Sequence, residues 1–262
     1  MIGFLERGNL FFKNLRRGKA KVVFSATLRK RFINYLNMRI YKFRSLANET
    51  DYCRLKNILE TGYFWCSKFF ELNDPMEGVF SFYEDNKKII EDGVEAIYSL
   101  KNKYKICSFS GVKGFENPIL WGYYTNGFKG VAIEVEVREE DIMSVKYKDS
   151  VVDIFFNNSH VYTDEIKEIL TRKLKPWEHE DEFRFLKESE YNNNHKIGEI
   201  TAVYFGNPYG NLSNTGPIQG NEILTKFNEF KKRLIGVAKD KKIHCYSVRS
   251  KNTIEIVKDN EL

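Results

Sequence analysis

The fold class of this 262-residue chain is decided by the stretch Gly130-Val131-Ala132-Ile133-Glu134-Val135-Glu136-Val137. Its apolar β-branched residues occur at every second position, which is the spacing of a half-buried β-strand. Other short stretches rich in aromatic and β-branched residues predict further strands. They lie at residues 40–44, 63–66, 105–110, 182–186, 200–205, 243–248 and 253–257. The sequence therefore predicts a sizeable sheet.

Helices are predicted between these strands from capping residues and from apolar residues at helical spacing. One begins at Asn48 or Thr50 and is closed by Gly62, and the others cover about 86–101, 163–174 and 221–239, with a helical turn at 118–124. The chain shows no internal repeat and no long linker. We expect an α+β fold, with a mixed, mostly antiparallel sheet flanked by helices, in a single domain over residues 40–262.

The composition excludes several classes of protein. Hydrophobic residues make up 42% of the chain and charged residues 30%, which is typical of a globular domain and not of collagen or a disordered chain. No apolar run approaches the ~20 residues of a membrane-spanning helix, so we expect no membrane association. The four cysteines are scattered and form no CxxC pair, which is typical of reduced thiols in a cytoplasmic protein.

Basic residues are concentrated at the N-terminus. Residues 1–39 contain ten Lys/Arg and one acid, a net charge of +9, whereas the whole chain carries +6. We interpret this segment as a basic N-terminal helical arm, with Ser25 as a candidate helix cap. One interpretation is that the arm docks on the phosphates of RNA or DNA, or on an acidic protein. The other is that it packs an apolar stripe against the main domain.

The first candidate for chemistry is the acidic stretch Trp177-Glu178-His179-Glu180-Asp181-Glu182-Phe183-Arg184, which leads into a predicted strand. On a strand, Glu180 and Glu182 point to the same face. Two adjacent carboxylates repel, so one pKa rises unless a cation lies between them. Such a pair can accept a proton or stabilise a cation, whereas the structural interpretation is an edge strand with one acid paired to Arg184.

Arg44 and a serine pair form a second candidate group. Arg44 lies in an otherwise apolar strand and needs an acidic or phosphate partner if it is buried, because its charge cannot be neutralised. Ser108 and Ser110 alternate with Phe109, so their hydroxyl groups are expected on one side of a strand.

Two further stretches complete the candidates. Asn73-Asp74-Pro75-Met76-Glu77 predicts a loop that can present polar groups to a cleft. Trp121 and Tyr124 share one face of the helical turn and are candidates to stack on a base or a nicotinamide, with core packing as the other interpretation. The histidines form no HExxH motif, so no zinc site is expected from local spacing.

The order of these motifs resembles the bacterial domain of unknown function 2971. The resemblance is carried, in chain order, by Tyr41-Lys42-Phe43-Arg44-Ser45, Asn73-Asp74-Pro75-Met76-Glu77, Trp121-Gly122-Tyr123-Tyr124, Lys129-Gly130-Val131 and the acidic stretch that ends at Arg184. It covers about residues 41–258 and excludes the basic arm. It implies a prokaryotic or phage origin and no particular activity.

A second resemblance concerns activity. An Arg on the first core strand, Ser-x-Ser on a middle strand and Glu-x-Glu near a later strand are similar to the order of motifs in R-S-E-type mono-ADP-ribosyltransferases. Phe109 departs from that pattern, because those enzymes usually carry Thr at this position. The resemblance implies an ADP-ribosyltransferase-like fold, with NAD as the substrate that supplies the ADP-ribosyl group.

The resemblance also implies roles for individual residues. Glu182 would hold the ribose 2′-hydroxyl and stabilise the oxocarbenium-like cation, Arg44 would bind the pyrophosphate, and Ser108 would orient the catalytic Glu. Glu180 would position or deprotonate the acceptor. The remaining predicted NAD-binding residues are Ser110, Tyr63, Trp121, Tyr124 and Asn73.

Other functions remain open at this stage. The chain could be a nucleic-acid-binding module without catalysis, a nuclease that holds Mg²⁺ with Asp74, Glu77, Glu180 and Glu182, or a hydrolase that uses water as the acceptor of ADP-ribose. A transferase of this kind would act as a toxin or a phage-defence effector on a nucleic acid or a protein. An antitoxin is then a further candidate partner.

Overall fold

The computed structural model describes residues 37–84, 86–156, 162–208, 221–250 and 256–261. The predicted basic arm lies outside the described residues except for its last three positions. Those positions belong to the first strand, which begins at Asn37 and not at Ile40.

The described chain alternates short strands with helices. The strands are β1 (Asn37–Ser45), β2 (Tyr63–Trp65), β3 (Phe80–Phe82), β4 (Tyr104–Ser110), β5 (Gly130–Arg138), β6 (Met143–Ser144), β7 (Lys146–Lys148), β8 (Val152–Ile154), β9 (Arg172–Leu174), β10 (Glu182–Glu188), β11 (Asn194–Lys196), β12 (Glu199–Gly206), β13 (His244–Ser250) and β14 (Ile256–Glu261). The α-helices are α1 (Glu49–Thr61), α2 (Lys87–Lys103), α3 (Val112–Phe115), α4 (Pro118–Tyr124), α5 (Thr163–Leu170) and α6 (Glu222–Asp240). Short 3₁₀ helices span Phe69–Glu71, Glu139–Asp141 and Lys175–Glu180.

Eight of these strands form the main sheet, in the order β14-β13-β12-β5-β1-β4-β10-β6. Only β12 and β13 run parallel, and the other neighbours are antiparallel. Three two-stranded sheets, β11-β2, β3-β8 and β7-β9, lie beside it. The predicted α+β class and the mixed, mostly antiparallel sheet flanked by helices are confirmed.

Helices cover both faces of the main sheet. One face packs against α1 and α6, with Val131, Ile133 and Val135 of β5 in a common core with Leu55 and Phe227. The opposite face carries two separate cores. Residues of α3 and α4 pack on β1 and β12 in one of them, and residues of α2 and α5 pack on β4 in the other.

Helix α1 shows how local sequence sets an element. The Asn48 side chain accepts a hydrogen bond from the Asp51 N–H at 2.9 Å and caps the first turn. Gly62 ends the helix in the left-handed conformation, with φ 72°, which glycine adopts without a Cβ clash. Within the described part of the chain, no helix combines the length and the apolar character needed to cross a membrane.

Strand β5 is buried on both faces, so the expectation of a half-buried strand was wrong. It lies between β1 and β12 in the middle of the sheet. Glu134, which reads as a solvent-facing position in the sequence, is buried and accepts hydrogen bonds from the hydroxyl groups of Tyr41, Thr201 and Tyr204. These hydroxyls satisfy a carboxylate that would otherwise be costly to bury.

The helix expected at residues 163–174 is shorter than predicted. Helix α5 stops at Leu170, and β9 follows and pairs in parallel with β7. The Thr171 hydroxyl donates to the Lys167 carbonyl at 2.7 Å, and the Thr171 carbonyl accepts from the Lys146 N–H at 2.8 Å. The hydrogen bond to the distant Lys146 therefore pairs the backbone after Thr171 with β7 as a strand, and the helix ends before Pro176.

Candidate functional site

The main sheet is interrupted between β1 and β4. These strands pair only at Tyr41 and Ser110, whereas β1 pairs with β5 along its whole length. Beyond that pair, the Lys42 ammonium donates to the Ser108 carbonyl at 2.5 Å, in the place of a ladder hydrogen bond. Ser67 then pairs with Ile106 farther along β4. The two strands therefore diverge and leave a gap in the sheet.

This gap forms a cavity of about 280 Å³. The predicted site residues that line it come from five separate parts of the sequence: Arg44, Asn73, Ser108, Ser110, Tyr124, Glu180 and Glu182. The fold therefore brings the Arg, Ser-x-Ser and Glu-x-Glu motifs together around one space. Lys42, Glu77 and Lys173 line the same cavity.

A buried group of charges, which we call the ion-pair cluster, adjoins the cavity and consists of Glu77, Lys173, Glu180, Glu182 and Arg184. All of these residues except Arg184 line the cavity. Arg184 is 1% exposed and donates to both carboxylate oxygens of Glu77, at 2.6 and 2.8 Å. It also donates to both oxygens of Glu182, at 2.7 and 3.2 Å. The guanidinium therefore joins the loop that carries Glu77 to strand β10.

Lys173 is the second cation of the cluster. Its ammonium lies 2.5 Å from Glu180, 2.8 Å from Glu182 and 3.4 Å from Glu77. The two carboxylates of the Glu-x-Glu motif thus meet at a lysine, which removes the repulsion expected for an unpaired pair of acids. The cluster contains three acids and two cations, so it retains one net negative charge.

These contacts shift the pKa of Glu182 and of Lys173, while burial raises the pKa of Glu77. Burial alone would raise the pKa of Glu182, but the charges of Arg184 and Lys173 outweigh it and hold that pKa at about 2. Burial would lower the pKa of Lys173, and the surrounding carboxylates raise it instead. Glu182 is therefore an ionised carboxylate at neutral pH and suits the stabilisation of a cation more than the acceptance of a proton.

A chain of hydrogen bonds extends the cluster along the cavity. The Tyr124 hydroxyl donates to Glu180 at 2.5 Å, and the Asn73 amide donates to the Tyr124 oxygen at 3.0 Å. Burial and the bond to Glu180 raise the pKa of Tyr124. Tyr124, one of the predicted NAD-binding residues, therefore contacts the predicted acceptor-side acid directly, and Asn73, another of them, is linked to it through Tyr124.

The backbone around Asp181 orients the two glutamates. Glu180 ends a 3₁₀ helix and Glu182 begins β10, so the expectation that both lie on one strand was wrong. Asp181 between them has φ 48°, and its carboxylate accepts from the Lys113 N–H at 3.1 Å. A Cβ at Gly111 would lie 2.3 Å from that carboxylate, so the close approach requires glycine. This turn allows both side chains to reach Lys173.

The opposite wall of the cavity carries the cationic pair, Lys42 and Arg44, on β1. Burial lowers the pKa of Lys42, whose ammonium donates to the Ser108 carbonyl and also interacts with the Cys107 thiol. Burial also lowers the pKa of Arg44, which still remains protonated because guanidinium holds its proton so tightly. The Arg44 guanidinium forms no hydrogen bond or salt bridge with any residue that the structure describes. The cationic pair is therefore a largely desolvated positive site, and the acidic groups that attract it are the Cys107 thiol, Glu182 and Asp51.

A second depression adjoins the cavity, and we call it the aromatic groove. It has a volume of about 780 Å³ and shares Phe43, Arg44, Trp65, Ser67 and Tyr124 with the cavity. Tyr63 lines this groove and not the cavity, so the prediction that it belongs to the same pocket as the glutamates needs correction. Trp65, which sequence reasoning missed, lies at the junction.

Two other predictions for site residues were wrong. Trp121 is completely buried in the core between α4 and the sheet, and its indole N–H donates to the Phe115 carbonyl at 2.8 Å. It therefore offers no face to a ligand. Ser108 does not hold Glu182 in this structure, because Arg184 and Lys173 occupy the oxygens of that carboxylate.

The arrangement disfavours the magnesium alternative. Glu77, Glu180 and Glu182 surround an ammonium and a guanidinium, so their oxygens are already occupied by cations. Asp74 contacts its own loop, where its carboxylate accepts from the Met76 N–H at 2.9 Å. Among the described residues, no group of three or more His, Cys, Asp or Glu side chains is arranged to hold a metal ion.

Comparison with known proteins adds no relative. No protein-family model matches the chain, and neither a curated protein nor a solved structure matches it. The two family resemblances drawn from the motifs therefore stay predictions.

Proposed function

We propose that this protein is an NAD-dependent mono-ADP-ribosyltransferase, and that the cavity between β1 and β4 binds NAD. One observation carries the proposal: Arg44, Ser108, Ser110, Glu180 and Glu182 line a single cavity, although they come from three distant motifs. We also propose that the sheet, interrupted at this cavity, belongs to the ADP-ribosyltransferase-like class, and that the chain is related to domain of unknown function 2971.

The charges around the cavity fit the two ends of such a substrate. The cationic pair faces the space where a pyrophosphate would lie, and Arg44 has the bidentate geometry that phosphate oxygens accept. The ionised carboxylate of Glu182 lies on the opposite wall. It would face the ribose that is attached to nicotinamide, where positive charge develops during the reaction.

The reaction follows from this orientation. The bond between ribose C1′ and the nicotinamide nitrogen breaks, and nicotinamide leaves with the bonding electron pair. Glu182 stabilises the oxocarbenium-like cation through the 2′-hydroxyl and through its charge. A nitrogen or oxygen of the acceptor then bonds to C1′, and its proton passes to Glu180, which Tyr124 and Lys173 hold in position. With water as the acceptor, the same steps release free ADP-ribose.

Of the three aromatic residues predicted for stacking, Tyr124 is the one that lines the cavity, since Trp121 is buried and Tyr63 lies in the groove. Ser108 and Ser110 would donate their hydroxyl groups to the nicotinamide ribose from the floor of the cavity. Lys42 would hold β4 at the spacing that admits the ligand, because its ammonium joins the two strands.

The test is binding followed by turnover. Titration calorimetry with NAD should show saturable binding to the full chain, and chromatography should detect slow release of nicotinamide from labelled NAD. Arg44→Gln should weaken binding, and Glu182→Gln should slow nicotinamide release in protein that is shown to be folded by circular dichroism. Glu229→Gln, an exposed acid on α6, is the matched control for loss of one carboxylate.

Each outcome has a separate meaning. Binding of NAD without release of nicotinamide, with or without a cell lysate, would contradict catalysis but retain the binding site. Absence of NAD binding at millimolar concentration would contradict the whole proposal. If label from NAD becomes attached to material in a lysate, digestion with nuclease or protease identifies the class of acceptor.

A further inference from the structure

We infer that the aromatic groove binds single-stranded nucleic acid, and that one of its nucleotides is the acceptor of the ADP-ribosyl group. The acceptor role rests on the proposed function, whereas binding to the groove does not. Three aromatic side chains that line this groove are exposed to solvent. The exposed fractions of Tyr63, Trp65 and Tyr123 are 45%, 52% and 72%. Such rings offer the flat faces on which unpaired bases stack.

The groove also carries the charge that a nucleic-acid backbone requires. Arg44 and Arg54 line it, and neither guanidinium forms a hydrogen bond or salt bridge with another described residue, although Asp51 attracts the charge of Arg44. Asp51 is the acid of the lining, and its carboxylate is engaged by the Ala47 N–H at 3.2 Å. Arg54, which does not line the cavity, is available to a backbone phosphate beside the stacking faces, whereas Arg44 at the junction is assigned to the pyrophosphate.

The position of the groove explains how an acceptor would reach the reaction. Trp65 and Tyr124 line both the groove and the cavity, so a base stacked on Trp65 lies at the mouth of the cavity. Tyr124 is hydrogen-bonded to Glu180, the residue proposed to take the acceptor's proton. An amino or hydroxyl group of that nucleotide would lose this proton as it bonds to C1′, and nicotinamide would leave with its electron pair.

A single strand fits this lining better than a duplex. Stacking requires base faces that are not already covered by neighbouring base pairs. The sequence supplies further positive charge in residues 1–39, which carry +9 and can attract a phosphate backbone at longer range. The groove would then select unpaired bases, while the general charge of the chain increases the rate of encounter.

The experiment measures binding of fluorescent 12-nucleotide single-stranded DNA and RNA, and of a duplex, to the full chain by anisotropy. Tyr123→Ala removes a stacking face and Arg54→Gln removes a charge, and both side chains line the groove but not the cavity. Loss of one stacked base is expected to raise the Kd for a single strand about 5- to 150-fold. Arg54→Gln should also reduce the slope of log K against log salt by roughly 0.7.

Matched controls separate the groove from the general charge of the chain. Tyr191→Ala removes an aromatic ring that is 89% exposed outside the groove, and Lys232→Gln removes an exposed cation on α6. Both should bind oligonucleotide more tightly than the groove variants do. Equal losses in the controls and the groove variants would overturn the assignment, and so would tighter binding of the duplex.

Parallel titrations with NAD distinguish this inference from the proposed function. The groove variants should lose more affinity for oligonucleotide than for NAD. If they lose equal affinity for NAD, the groove holds part of the dinucleotide and the inference is overturned while the NAD site stands. If wild-type protein binds oligonucleotide through the groove but does not bind NAD, the proposed function fails and the nucleic-acid site remains.

Discussion

The ion-pair cluster and the cationic pair face the same cavity, but they satisfy their charges in opposite ways. In the cluster, each of the five charged groups contacts at least one group of opposite sign, at distances from 2.5 to 3.4 Å. In the cationic pair, Lys42 has a carbonyl as its partner, and Arg44 has no ion-pair partner among the described residues. Both regions are removed from bulk solvent to a large extent.

This difference distinguishes the residues that maintain the geometry of the cavity from the residues that are available to bind a ligand. A buried charge that is paired and hydrogen-bonded is satisfied within the fold, and removing its partner is costly. A desolvated charge without a partner is unfavourable until an anion arrives. The cluster therefore fixes the geometry of Glu182, and the cationic pair leaves room for the charge of a ligand.

The largest effect is expected for Arg184→Met. The cluster already has one acid more than it has cations, so loss of Arg184 leaves two unpaired negative charges. Removing one partner of a buried ion pair costs about 3–5 kcal/mol, and urea denaturation should show a loss of this size. Lys226→Met, which breaks an exposed pair with Glu222, should change the free energy of unfolding far less. Similar losses in both variants would mean that the cluster is as solvated as the surface.

A smaller loss of stability is expected for Glu182→Gln, because the substitution brings the cluster to neutrality. It removes a charge that contacts both cations. Nicotinamide release should fall about 10²–10³-fold, the usual effect of removing a preorganised electrostatic group. Unchanged release by folded protein would exclude Glu182 from catalysis.

Glu180→Gln tests whether the two glutamates have separate roles, since Glu180 contacts only Lys173 among the described cations. If Glu180 serves the acceptor, transfer to a target should be lost while slow hydrolysis of NAD continues. Label transfer and nicotinamide release are measured on the same sample. Equal losses of both activities would show that the two carboxylates act as one unit.

Arg44→Gln should separate binding from stability. Since the Arg44 guanidinium has no hydrogen bond or salt bridge to lose, and only the weaker attraction of Cys107 and Asp51, the free energy of unfolding should stay the same or rise as a desolvated charge is removed. Affinity for NAD should fall about 10- to 150-fold, the range for a hydrogen bond to a charged group. Calorimetry and urea denaturation on one preparation check both. A marked loss of stability would show that Arg44 has a structural partner and is not a vacant anion site.

The dependence of stability on pH gives the most specific effect. The pKa of Glu182 is about 2 in the folded protein, below its ordinary value of 4.5, so the folded state binds this proton less tightly than the unfolded state. The stabilisation from Glu182 is therefore complete above about pH 4.5 and is lost as the pH falls toward 2. The stability difference between wild type and Glu182→Gln should shrink over that interval. A constant difference would contradict the pKa assignment.

Much of the fold could be predicted because periodicity and caps act locally. The strand around Ile133 and the helix between Asn48 and Gly62 need no knowledge of distant residues. The burial of Glu134 could not be predicted, since two of its partners, Thr201 and Tyr204, are about 70 residues away in sequence. Six short strands were missed for the same reason, because pairing with strands that are distant in the sequence defines them. They are β3, β6, β7, β8, β9 and β11.

The candidate site was predictable where a motif lies on a strand. Arg44, Ser108 and Glu182 occupy strands that end at the same gap, so their order in sequence carries spatial information. Lys173 was missed because it fell inside a predicted helix. Trp121 was assigned to the wrong environment, since the side of a short helix that meets the core depends on tertiary packing. Lys42 could have been found, because it alternates with Arg44 on the same apolar strand.

The lone ladder pair between β1 and β4 makes the sheet mechanically uneven. The half that contains β5 and the half that contains β10 are each joined by continuous ladders, whereas Tyr41 with Ser110 and the contact from Lys42 join them to each other. Elastic deformation concentrates where the fewest bonds resist it. We therefore expect the cavity to widen or narrow as the two halves of the sheet move relative to each other about these contacts. A ligand that spans both walls would restrict that motion.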